Sequence, residues 1–106
     1  MSFEDRGMER NCESDRSRRK AFGEQRAKKL TLRFQHLRVA ESLEDLRSMP
    51  GHCHELTANW AGCLALDLDG PYRLIFRPEK AEQHTTGGLD WASVTSIVVV
   101  AIVDYH

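Results

Sequence analysis

Residues 64–78 read LALDLDGPYRLIFRP, and the turn inside this stretch decides the fold. Leu64, Leu66 and Leu68 alternate with Ala65, Asp67 and Asp69, and Tyr72, Leu74 and Phe76 alternate with Arg73, Ile75 and Arg77. That period of two marks a pair of half-buried strands. A two-residue loop would set Leu68 against Arg73 and mismatch each apolar face. A three-residue loop, Asp69-Gly70-Pro71, sets Leu68 opposite Tyr72, Leu66 opposite Leu74 and Leu64 opposite Phe76. A slip of one residue would turn every side chain to the wrong face, so the pattern selects the three-residue loop. Asp67 is then expected directly across from Arg73.

Upstream of the hairpin the period is helical. Ala27, Leu30, Phe34 and Leu37 recur at spacings of three and four, which predicts a helix over Glu24–Ala40. Gly23 separates it from an expected helix at Arg18–Phe22. Ser42 and Asp45 resemble a capping box ahead of a short helix at Leu43–Ser48, which Pro50-Gly51 terminates. Residues 1–15 are polar, with a short strand or fraying expected near Ser2–Glu4. His54–Thr57 is a weak strand candidate. Downstream, Pro78–Ser93 is a long connection ending in a possible helical turn. Val94–Val103 is apolar on both faces, as a central strand is. Asp104 and His106 are expected to continue one face of that strand and Tyr105 the other. The predicted architecture is α+β, with N-terminal helices on one face of a small antiparallel sheet, in one domain over residues 1–106.

Charge is unevenly placed. Residues 1–50 carry 12 Lys/Arg against 9 Asp/Glu, and residues 51–106 carry 3 against 7. Within Arg16–Arg38 nine basic residues face one acid, Glu24, so a stripe of Arg26, Lys29 and Arg33 is expected to meet a polyanion or an acidic partner. The alternative is a solvated helix face. The longest apolar run, Ile97–Val103, is too short to span a bilayer. With no apolar signal core in the first twenty residues, a cytoplasmic protein without membrane contact is expected. Cys12, Cys53 and Cys63 form an odd, sparse set and read as reduced thiols.

Few groups suit chemistry. In HCH, residues 52–54, alternation points Cys53 away from His52 and His54, and no CxxC or HxxxH spacing supports a metal. No cofactor is expected. There is no G-x-S-x-G and no glycine-rich phosphate loop. What remains on the sheet is Arg73, Arg77, Tyr105, His106 and His54. Metal-free RNA cleavage needs such a set: a base for the 2′-hydroxyl, an acid for the leaving 5′-oxygen, fixed cations for the phosphorane and a ring to hold a base. The plainer alternative is that Arg73 only pairs with Asp67 and Tyr105 only caps the core.

Residues 37–51 (LRVAESLEDLRSMPG), CHEL at 53–56, PYRLIFRP at 71–78, GGLDW at 87–91 and DYH at 104–106 together resemble the RelE/ParE superfamily of toxin–antitoxin toxins, in its HigB "killer" branch. GGLDW is similar to a killer-suppression sub-branch. The resemblance covers roughly the last three quarters of the chain, and it implies helices followed by an antiparallel sheet. It also implies an endoribonuclease that cuts mRNA on the ribosome and is neutralised by a cognate antitoxin of helix-turn-helix type, with DNA contacted only through that antitoxin. Carried over by position, the implied catalytic residues are His54, Arg73, Asp104, Tyr105 and His106. As the final residue, His106 would have its imidazolium form favoured by its own carboxylate. Where killer toxins commonly read H-x-L-K-G, this chain reads HELTA, so Thr57 replaces the lysine and Ala58 the glycine. A pI of about 6.5 is also low for the family. A catalytically weak toxin-like protein that only binds an antitoxin and regulates its operon is therefore the alternative reading.

Overall fold

The computed structural model describes residues 1–80, 84–85 and 88–105. Strand β1 (Ser2–Phe3) leads into helices α1 (Arg6–Cys12), α2 (Asp15–Phe22) and α3 (Glu24–Val39). A 3₁₀ helix at Leu43–Ser48 follows, then β2 (His54–Glu55), a turn at Ala58–Trp60, β3 (Leu64–Asp67) and β4 (Tyr72–Pro78). The chain continues through β5 (His84–Thr85), β6 (Gly88–Leu89), a turn at Trp91–Ser93 and β7 (Ile97–Asp104).

The hairpin register is the one its alternation predicts. Leu64 pairs with Phe76, Leu66 with Leu74 and Asp67 with Arg73, and Leu68 N–H donates to Tyr72 O at 3.0 Å. Around it a five-stranded sheet runs β1-β7-β4-β3-β2. β4 is the middle strand, and β7 is interior between β1 and β4, in keeping with its two apolar faces. The sheet is mixed rather than antiparallel, because Ser2 and Phe3 pair in parallel with Val98 and Val99. Ile75 pairs with Ala101 but Phe76 with Val99, so Val100 is an extra residue in β7, a bulge.

The three helices cover one face. Ala27, Leu30 and Phe34 of α3 are fully buried, and Leu64, Leu66, Leu74, Phe76 and Val99 complete that layer. Phe3 meets Phe34 edge-on at 6.0 Å, which seats β1. Helix α1, absent from the expected elements, has a clear cause: Asp5 Oδ2 accepts the Met8 N–H at 2.9 Å, and Cys12 one turn later is buried. Ser14 caps α2 in the same way through Ser17 N–H at 3.0 Å. The expected box at Ser42 does not form. Asp45 instead accepts from Glu41 N–H at 2.8 Å, and the segment closes as a 3₁₀ helix.

Three arginines of the basic stretch work inside the molecule. Arg18 donates to Cys12 O at 2.6 Å and to Thr31 Oγ1 at 2.9 Å, tying α1 and α2 to α3. Arg26 is bidentate to Asp69 at 3.0 and 3.2 Å, with its guanidinium 3.4 Å over the Tyr72 ring. Arg33 is buried and donates Nε–H to Asp67 O at 2.7 Å. Burial lowers the Arg33 pKa, with Asp67 opposing that shift.

One turn along α3, His36 Nδ1 is buried without a hydrogen-bond partner among the described residues. Burial, then the nearby Arg33 charge, pushes its pKa below the usual histidine value. Folding therefore disfavours the imidazolium, and the unfolded chain binds the extra proton first. Stability should be intact above about pH 6.5 and decline as pH falls toward the lower folded-state pKa. Urea midpoints measured from pH 7.5 to 5 should fall less for His36→Gln than for the wild type.

Candidate active site on the helix-free sheet face

Cross-strand register assembles the second face. His54 sits opposite Ala65, Ala65 opposite Ile75 and Ile75 opposite Ala101, so these four form one row. The next row holds Asp67, Arg73 and Val103. Arg77 lies two pairs beyond Ile75 on β4, on the same face. Leu56, Ala65 and Ile75 are buried at its centre, and Trp60, Cys63, Val103 and Tyr105 pack on them. Tyr105 therefore shares the face of Arg73, with its N–H donating to Pro71 O at 2.9 Å. Asp104 pairs with Tyr72 and lies on the opposite, helix-bearing face. His106 is outside the described residues.

Arg73 is held on three sides. Its Nε lies 2.9 Å from Asp67 Oδ1, as a charge contact rather than an aligned hydrogen bond. Its Nη1 donates to Gly70 O and Tyr72 O, both at 2.9 Å. Nη2 has no partner among the described residues. The side chain keeps 23% of its surface exposed, so the cation is fixed yet reachable. Arg77 is more loosely placed, with Nε 3.8 Å from Glu4 Oε1 and Nη1 donating to Pro78 O at 3.2 Å.

His54 Nδ1 is 2.8 Å from His52 O. A carbonyl can only accept, so in the neutral ring the tautomer is the one with the proton on Nδ1 and the lone pair on Nε2. The His52 ring lies 4.8 Å away, tilted by 40°. No group of three or more metal-binding side chains occurs among the described residues. The thiols are poor nucleophiles: burial pushes Cys12 up to about 11, Cys53 up to about 12, and raises Cys63 as well.

Thr57 is exposed just before the Ala58–Trp60 turn. Ala58 has φ +55°, a left-handed conformation that explains a glycine preference at that position. Ala58→Gly should be neutral or raise stability by up to about 1 kcal/mol, read from urea midpoints.

Of the expected basic stripe, Arg33 is buried and Arg26, though half-exposed, is engaged by Asp69 and the Tyr72 ring, while Lys29 is half-exposed. With Lys28, Gln25 and Leu32 it lines a groove of ≈ 470 Å³ between α2 and α3. Trp60 escaped the sequence reading. Its signal was its place within HELTANW, three residues past Thr57 and close to the His54 strand.

Residues 1–87 match the family model for a HigB-like toxin, described as a RelE-like toxin of the type II toxin–antitoxin system HigB. Neither the curated proteins nor the solved structures contain a match.

Proposed function

Because the chain belongs to the HigB-like toxin family of RelE-like type II toxins, and so has an antitoxin as partner, we propose that it is a metal-independent endoribonuclease cutting mRNA on the ribosome. The observation that carries this reading is the shared helix-free face of His54, Arg73, Arg77 and Tyr105. On it, His54 Nε2 takes the proton of the 2′-hydroxyl, whose oxygen attacks the adjacent phosphorus. Arg73 and Arg77 hold the charge of the phosphorane. The leaving 5′-oxygen is assigned its proton from His106 by the family resemblance alone, that residue lying outside the described ones, and a 2′,3′-cyclic phosphate remains. Tyr105 offers its ring to an unstacked base. Asp104, on the opposite face, is left out of this set. Among the described residues no helix is long and apolar enough to cross a membrane, and the proposed site of action is the cytoplasm.

The second reading, binding without cleavage, draws on Thr57 in place of a lysine and on the Arg73–Asp67 contact, which spends part of the cation's field inside the protein. Induction in growing cells separates the two. Growth arrest with cut mRNA, relieved by the cognate antitoxin and lost in His106→Ala, supports the nuclease. A chain that binds antitoxin yet leaves ribosome-bound mRNA intact, even in a chelator-free buffer, refutes it.

A further inference from the structure

β7 is an interior strand of the sheet for only part of its length. Tyr105 N–H donates to Pro71 O around the pair Asp104–Tyr72. In an antiparallel ladder this makes Asp104–Tyr72, and by alternation Ile102–Leu74, pairs that do not exchange hydrogen bonds. The N–H and C=O of Ile102 therefore point away from β4. On that side β1 reaches only Val98 and Val99, closing with Glu4 N–H to Val99 O at 2.9 Å. Among the described residues no strand continues β1 past the Val100 bulge. Val100, Ala101, Ile102 and Val103 are each half-exposed, although they are apolar and belong to the longest strand.

A groove of ≈ 400 Å³ runs beside this open edge, walled by Met8 and Asn11 of α1 and by Phe22 of α2. Its one acid, Asp5, is already engaged as the α1 cap. At Asn11 it adjoins a second groove that carries Arg10 and Lys20 against Glu13. Four residues of extended chain span about 13 Å, the length of the open edge. An unpaired strand edge next to an apolar trough with cations at one end fits one kind of ligand: an extended segment with alternating apolar side chains and an acidic flank.

We infer that the antitoxin docks here by adding a strand of its own to the β1 side of Val100–Val103, its apolar side chains entering the Met8–Phe22 groove and its acidic flank meeting Arg10 and Lys20. The inference rests on the toxin reading above and concerns a surface on the opposite margin of the sheet from His54.

Amide hydrogen exchange of the full chain, alone and with its purified full-length cognate antitoxin, tests it. Exchange at Ile102 should slow at least tenfold in the complex. Asn11→Trp fills the groove from an exposed position, and Lys20→Glu reverses its charge. Both should weaken antitoxin binding, the first at least tenfold by calorimetry, while far-ultraviolet circular dichroism stays unchanged. A tight complex in which Ile102 exchanges as in the free chain overturns the inference and leaves the toxin reading standing. Failure to form any complex overturns both. Protection of Ile102 that grows with the chain's own concentration, without antitoxin, would assign the edge to a second copy and also overturn it.

Discussion

Arg73→Gln should lower mRNA cleavage on ribosomes by about 10²–10³-fold, the usual loss when one fixed charge-stabilising donor is removed. The native guanidinium is positioned in advance by Gly70 O, Tyr72 O and Asp67, so no reorganisation is needed as the phosphorane forms. Glutamine can reach one of those carbonyls but carries no charge. The fold should tolerate the change, because both carbonyl partners lie at the hairpin turn, which water can reach. Single-turnover cleavage beside a thermal melt reads the two effects apart. Asp67→Asn serves as the companion: it leaves Arg73 tied to two carbonyls with a less neutralised charge, so activity should stay within a few-fold of wild type. A drop of less than about threefold in Arg73→Gln would reduce Arg73 to a cross-strand ion pair, worth little more than other exposed pairs.

The largest loss of stability should come from Gly51→Ala. Gly51 has φ +113°, and a Cβ there would lie 2.9 Å from Arg33 Nε and 3.0 Å from Leu66 Cδ2. Neither neighbour can retreat cheaply. Leu66 is fully buried, and Arg33 Nε–H is committed to Asp67 O. The same segment is locked from the other side, with Asp67 N–H donating to Gly51 O at 2.8 Å. Strained backbone costs on the order of 1–3 kcal/mol, and disturbing a hydrogen bond from a buried charge adds roughly 1.5–3 kcal/mol. Gly62→Ala is the control, since Gly62 also has a positive φ (+90°) but its added Cβ would meet nothing within 4 Å. Urea unfolding should show the Gly51 variant destabilised by clearly more than the Gly62 variant. Equal losses would mean that Arg33 moves aside freely.

Local alternation made the β3–β4 hairpin legible down to its register, because a wrong register would have exposed Leu64, Leu66 and Leu68 together. Helix α3 was equally readable from Ala27, Leu30 and Phe34. Features that depend on distant partners were not. The parallel pairing of β1 with β7 joins Ser2 to Val98, and nothing in a two-residue strand announces its neighbour. The bulge at Val100 lies in a run apolar on both faces, so no alternation exists there for it to interrupt. Counting charges in Arg16–Arg38 suggested a binding stripe, but composition does not tell which guanidinium finds a buried carbonyl. Arg18 and Arg33 do, and Arg26 finds Asp69 and Tyr72. At the candidate site, residue types were readable while facing was not. Strand alternation separated Tyr105 from Asp104, yet only the sheet's pairing identified Tyr105 as the one beside Arg73.

The place of β7 also bears on when the protein can act during its own synthesis. Every strand that β7 joins directly, and every helix beneath the sheet, precedes it in the chain. A ribosome still translating residue 96 has made β1 and β4 but not the strand that bridges them. The Phe3–Phe34 contact can form early, whereas the row from His54 to Ala101 and the seat of Tyr105 cannot. Sheets closed by such long-range pairing form late and slowly. On the proposed nuclease reading, an emerging chain therefore lacks its assembled site, and the Val100–Val103 edge offered to an antitoxin appears only together with that site.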